Sequence, residues 1–255
     1  MVTQKCGRYE AYDFKHKRLI TNLWGLGQNE VISMDKNCIF VNSDDTYGWK
    51  WDRPNPKPQS GQTNIAPFAP SICVGTDPLG AFATTEYLPI RLRDIDSLIL
   101  YANYIYSLMP SAEDSQNLSY DIWVTDSGDP KPSTPRKEIM VWLNRLNVPM
   151  PEDKRGDDVS DGYNTFKQYA WENYHAFILD VLPQPEKKTS TVDLKKIFEY
   201  LLDKGVLKGD QWLALIALEN EVWKGKGEMT INQMDSQLNG TWISCPQVVY
   251  SQTLQ

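Results

Sequence analysis

Turn-forming segments punctuate this chain closely enough to leave little room for long helices: "RPNPKPQSG" at 53–61, "DSGDPKPSTPR" at 126–136, "PMPEDKRGDDVSDG" at 149–162 and "PQPEKKTS" at 183–190. Proline and glycine at this density interrupt regular structure. The runs between them are short and rich in β-branched and aromatic residues: "CIFVNS", "SLILYANYIYSL", "LSYDIWVT", "EIMVWL", "AFILDV" and "WLALIALENEVW". That rhythm predicts an all-β chain built as an antiparallel sandwich or barrel. One segment departs from it. In "TVDLKKIFEYLLDKG", Leu194, Ile197, Phe198, Leu201 and Leu202 recur at the spacing of a helix stripe. Thr191 or Asp193 can cap its start, and Gly205 falls where a left-handed residue ends a helix. A βαβ fold needs several such helices, so this one is expected to pack outside a sheet.

At 255 residues the chain can bury a sizeable core, and a single domain over 1–255 is expected. Lys+Arg 26 against Asp+Glu 33 leaves a net charge of −7 with no basic run, which argues against nucleic acid or an anionic polymer as partner. No stretch approaches the roughly 20 apolar residues of a membrane helix. The start "MVTQKCGRYE" lacks the apolar centre of a signal peptide. Cys6, Cys38, Cys73 and Cys245 form no CxxC pair and have no histidine at ligand spacing, which argues against zinc. His16 and His175 are the only histidines, and neither stands in the context of a nucleophile triad.

Carboxylates in unusual company carry the functional signal. In a strand, alternate side chains share a face. "KEIMVWL" therefore aligns Glu138 with Met140 and Trp142, and "SYDIWVT" aligns Asp121 with Trp123 and Thr125. Only the loop at 126–136 separates the two strands, so they are expected to pair and bring Asp121 and Glu138 onto one face. In "LALIALENEVWKGKGEM", Glu219, Glu221 and Trp223 follow Leu213, Leu215 and Ala217 on one side, at the end of a strand that the glycines of "KGKG" are expected to close. The plain alternative is that these acids face solvent beside aromatics by chance. Two carboxyls across an aromatic-lined groove are what glycosidic bond cleavage requires, one to attack or steer water and one to protonate the departing oxygen. That chemistry needs neither a metal nor an organic cofactor. A sugar-binding sandwich without catalysis is the rival reading. Nine Trp, thirteen Tyr and seven Phe suit either, since flat rings stack on sugars as well as fill cores.

These segments, in this order, resemble glycoside hydrolase family 12, mostly endo-β-1,4-glucanases and xyloglucanases. "TNLWG" at 21–25 is similar to the family's Asn-Leu-Trp-Gly, "SYDIWVT" to its Tyr-Asp-x-(Trp/Phe) strand, and "EIMVWL" to its Glu-x-Met-x-Trp strand. "APSICVG" and "WENYHAFILDV" resemble later strands, and "NEVWKGKG" the segment that carries the acid/base. The resemblance implies a β-jelly roll of two antiparallel sheets with a concave cleft, one helix outside, and a retaining mechanism. Glu138 would be the nucleophile, Glu221 the acid/base, and Asp121 the residue that hydrogen-bonds and orients Glu138. Met140, Trp142, Asn22 and Trp24 would hold sugars, with Trp123 and Trp171 as further cleft candidates, and Trp49 and Trp51 as either cleft or core. Many relatives carry glycine where Glu219 stands, so either acid could donate the proton; Glu221 is preferred for its Asn-Glu-Val-Trp context, with Glu219 raising its pKa by like-charge repulsion. A Cys6–Cys38 disulfide is implied too, and with it a secreted protein whose export signal precedes the residues given. Cys73 and Cys245 pair or stay free, and Asn117 and Asn239 are sequon asparagines. The implied partner is a β-glucan, cellulose-like, mixed-linkage or xyloglucan, and a monomer is expected.

Overall fold

A computed structural model of the chain describes residues 2–14, 16–23, 33–56 and 68–244. In chain order the strands are β1 (Thr3–Cys6), β2 (Ala11–Phe14), β3 (Lys17–Ile20), β4 (Cys38–Val41), β5 (Tyr47–Arg53), β6 (Ser71–Gly75), β7 (Ile90–Arg91), β8 (Leu98–Leu108), β9 (Ser115–Thr125), β10 (Arg136–Leu146), β11 (Arg155–Ser160), β12 (Thr165–Ala170), β13 (Tyr174–Ile178), β14 (Lys188–Asp193), β15 (Trp212–Leu238) and β16 (Thr241–Trp242). The helix α1 (Leu194–Asp203) lies between β14 and β15. The strands form two layers not closed into a barrel, a β-jelly roll as the sequence predicts. The front layer runs β2-β3-β6-β15-β9-β10-β13-β12-β11, and the back layer β1-β4-β5-β15-β8-β14.

β15 belongs to both layers. Its first half pairs with β6 and β9 as far as Lys224, and from Gly225 it pairs with β5 and then β8. Gly225 makes the change possible: its φ is 122°, and a Cβ there would sit 2.2 Å from the Asp114 carboxyl carbon. The glycines of "KGKG" thus redirect the strand where the sequence reading expects it to end. The pairing of β10 with β13 is parallel, a departure from wholly antiparallel sheets. Residues 147–173 supply the long crossover that a parallel pair requires, folding on the way into β11 and β12.

The core lies between the layers and includes Trp49, Tyr120, Ile122, Ile139, Val141, Phe177, Ile216 and Leu218. Trp49 and Trp51 are 0% and 1% exposed, which settles both as core residues. Alternation along β5 puts them on its inner face, and the Trp49 indole N–H donates to Asn220 Oδ1 at 3.4 Å. In α1, Leu194, Ile197, Phe198 and Leu201 are buried in this core. Asp193 is the cap, its carboxylate accepting the Lys196 N–H, and Gly205 takes φ 69° beyond the helix end. Cys6 and Cys38 face each other in the β1–β4 register and form the expected disulfide. Cys73 is a buried thiol, and Cys245 lies outside the described residues. Asn239 occupies the β15–β16 turn with its amide committed, Oδ1 accepting from the Asp96 and Ser97 N–H groups and Nδ2 donating to Asp94 O.

Candidate active site

The loop after β9 closes through the Asp126 N–H to Pro135 O bond at 3.0 Å, and β9 and β10 then pair antiparallel with Glu138 opposite Trp123 and Met140 opposite Asp121. On the other side of β9, β15 sets Ala217 opposite Asp121, Glu219 opposite Ser119 and Glu221 opposite Asn117. Asp121 therefore has Glu138 and Glu219 as diagonal neighbours on its two flanking strands, within reach of side chains of this length. The three segments that alternation singled out meet on one face.

All four acids line one cavity of about 520 Å³. From β10 it crosses β9 and β15 to Ser71 and Cys73 of β6, then to Ile20, Asn22 and the 77–82 loop. Glu138 also borders a second hollow of about 500 Å³ on the opposite side, walled by Trp123, Trp171 and Tyr174. The rings of Trp171 and Tyr174 meet edge-on at 5.1 Å, and the Arg136 guanidinium lies over Trp123 at 5.8 Å. Together the two hollows flank Glu138 with an aromatic wall on one side and a polar floor on the other.

Asp121 and Glu219 are 8% and 7% exposed, whereas Glu138 and Glu221 are half-buried. Asn117 Nδ2 donates to Glu221 Oε2 at 2.6 Å, and the Trp123 indole N–H donates to Asp121 Oδ2 at 2.7 Å. The second Asp121 oxygen has no partner among the described residues. The bond expected from Asp121 to Glu138 is not among those the described residues form; the Asp121 oxygen that is bonded accepts from the Trp123 indole instead. Burial pushes Glu138 up to about 7. Burial and then the charge of Glu138 push Glu221 up to about 7, opposed by the Asn117 bond. Asp121 is raised well above the usual range by burial and then by Glu138, and Glu219 by burial and then by Asp121. Loss of water around a carboxylate, and a like charge nearby, both favour the protonated form. Glu219 and Glu221 repel one another as expected from sequence, the charge of Glu221 being among the causes that raise Glu219.

Met140 is buried under the acids, its sulfur accepting from the Tyr174 hydroxyl at 3.1 Å. Trp142 shares the face of Glu138 but is 2% exposed, with Val148 and Met150 packed against its cluster, so its ring is covered rather than open to the cleft. Asn22, at φ 44°, lines the cavity, and Trp24 lies outside the described residues. Trp123 and Trp171 border the second hollow. Asn117 is fully buried, which corrects its reading as a glycan acceptor, since that modification needs an exposed asparagine. Tyr174, Ser71 and the 77–82 loop went unseen in the sequence. A pairing of β13 beside β10 would have exposed Tyr174, which stands opposite Glu138.

A family model described as glycosyl hydrolase family 12 matches residues 18–239. No curated protein matches the chain. Among solved structures, a family 12 xyloglucanase from Bacillus licheniformis in complex with ligand is similar at 22% identity and a TM-score of 0.72, over 93% of this chain and 99% of that one. The endoglucanase cel12A from Rhodothermus marinus is similar at 22% identity and 0.72, over 92% and 98%. A metagenome-derived family 12 endoglucanase gives 22% and 0.72, over 93% and 98%. At these identities the structural likeness speaks for the fold.

Proposed function

The chain belongs to glycosyl hydrolase family 12, and on that premise we propose that it is a retaining endo-β-1,4-glucanase of one domain, cleaving internal bonds of cellulose-like glucans by double displacement. The family comprises retaining endo-β-1,4-glucanases and xyloglucanases, so a glycoside hydrolase acting on β-glucan is the shared ground. The observation that carries the finer reading is the presence of Glu138 and Glu221 in one cleft, each raised to about 7, beside a row of aromatic rings.

In the first step the Glu138 carboxylate attacks the anomeric carbon while the glycosidic C–O bond breaks and Glu221 gives its proton to the departing oxygen. In the second, Glu221 takes a proton from water, the water oxygen bonds to the anomeric carbon, and Glu138 leaves as a carboxylate. Asn117 holds Glu221 in place, and Asp121, itself anchored by Trp123, biases Glu138. Asn22, Trp123 and Trp171, which line the two hollows, are assigned to sugar contact, and Trp24 with them from its sequence context, while Met140 and Trp142 support the site from beneath. The Cys6–Cys38 disulfide supports a protein that works outside the cell, and we take it to act as a monomer.

Replacement Glu138→Ala abolishes turnover, and azide restores part of it with inverted stereochemistry at the product's anomeric carbon. Near-normal turnover of that variant rules the assignment out. A xyloglucan-specific enzyme is the second reading, favoured by the open hollows on both sides of Glu138, where branching xyloses would fit. Relative kcat/KM on carboxymethylcellulose, mixed-linkage glucan and xyloglucan decides between the two.

A further inference from the structure

Glu219 has no role in the two-step reaction above, yet it is placed as a functional group would be. Its carboxyl lines the cavity, its residue is 7% exposed, and it makes no hydrogen bond among the described residues. On β6 its neighbours are Ser71, directly opposite, and Cys73; on β9 they are Ser119, directly opposite, and Asp121 on the diagonal; Glu221 follows on its own strand, and Glu138 stands beyond on β10. Among the described residues no lysine or arginine pairs with it, the cationic side of the cavity being Arg136 over Trp123. Among three other carboxyls a fourth is favoured as the neutral acid, and a neutral carboxyl can donate a hydrogen bond as well as accept one.

We propose that Glu219 is a substrate-binding residue of this cleft, its carboxyl donating a hydrogen bond to a hydroxyl of the glucosyl unit seated over Ser71 and Cys73. It does not supply the proton for bond cleavage. A sugar hydroxyl is the fitting acceptor because it can also return a donor to the second carboxyl oxygen or to the Ser71 hydroxyl beside it. Such a contact is made in the bound substrate before any bond breaks, so its loss appears in binding. The inference rests on the glucanase reading for the identity of the ligand.

Two substrates separate the roles: a soluble mixed-linkage glucan, whose poor leaving group needs a proton, and a dinitrophenyl cello-oligoside, whose leaving group does not. For Glu219→Leu, KM on both is expected to rise roughly 10- to 30-fold with kcat held within about threefold, the loss of one hydrogen bond to a buried polar group. Glu219→Gln, which keeps a donor, recovers most of the affinity and leaves the pH limbs of kcat/KM in place. Glu219→Ala reads the same loss should leucine unsettle the fold, which thermal unfolding reports. Unchanged KM in both the Leu and Ala variants overturns the proposal. So does a collapse of kcat on the glucan with the dinitrophenyl substrate spared, which would make Glu219 the proton donor. Full activity of Glu138→Ala is a separate result that overturns the glucanase reading and leaves the Glu219 data interpretable as binding alone.

Discussion

Two half-buried glutamates at about 7 cannot be treated as independent, because the proton on one stabilises the charge on the other. Activity requires Glu138 ionised and Glu221 protonated, so kcat/KM is expected to follow a bell with its basic limb near pH 7 and its acid limb below, read from initial rates across pH. The Asn117 bond favours the ionised form of Glu221, so its removal raises that group's pKa. Asn117→Ala is therefore expected to move the basic limb upward by roughly 0.7 unit, the equivalent of a hydrogen bond worth about 1 kcal/mol. Strand alternation alone singles out Asp121, Glu138, Glu219 and Glu221, because a carboxylate among indoles stands out wherever the strand is placed; the preference for Glu221 over Glu219 comes from the family resemblance. Asn117 showed only as a sequon. Its true partner lies 104 residues away on β15, and a face pattern says which side a residue takes, not which strand is its neighbour.

At the scale of single elements, the helix is legible from its stripe and Gly205, with the cap left between Thr191 and Asp193 until the structure shows Asp193. Asp193→Ala is expected to cost about 1 kcal/mol, seen as a lower denaturant midpoint with the cleft unaffected. β15 was legible only in its first half, since glycine in sequence marks a turn and a sheet crossing alike. Trp49 and Trp51 show a similar limit: one indole every second residue fits a core face and a cleft face equally, and only the second layer tells them apart. The disulfide ties β1 to β4 at the edge of the back layer, across 32 residues. Its reduction is expected to lower stability by about 2–4 kcal/mol while kcat below the new unfolding temperature stays as it was, because no cleft residue belongs to either strand.

For the molecule as a whole, four carboxyls elevated in one cleft set the pH dependence of stability. Each binds its proton more tightly folded than unfolded, so between about pH 4.5 and 7 the native state holds more protons and stability falls as pH rises. Asp180, lowered first by its bond to Lys167 and then by that to Arg145, acts in the opposite sense, and its contribution disappears in stronger acid. The unfolding temperature is therefore expected to peak in weak acid, and Glu219→Gln to flatten the decline above it. The strand that presents Glu221 to the cleft continues without a break through 27 residues into the far layer. Neither layer can peel away while the other stays whole, because one thread is stitched through both. Deuterium uptake at back-layer amides and the loss of catalytic competence should accordingly share a single midpoint on heating, leaving no window in which a half-open enzyme still turns over.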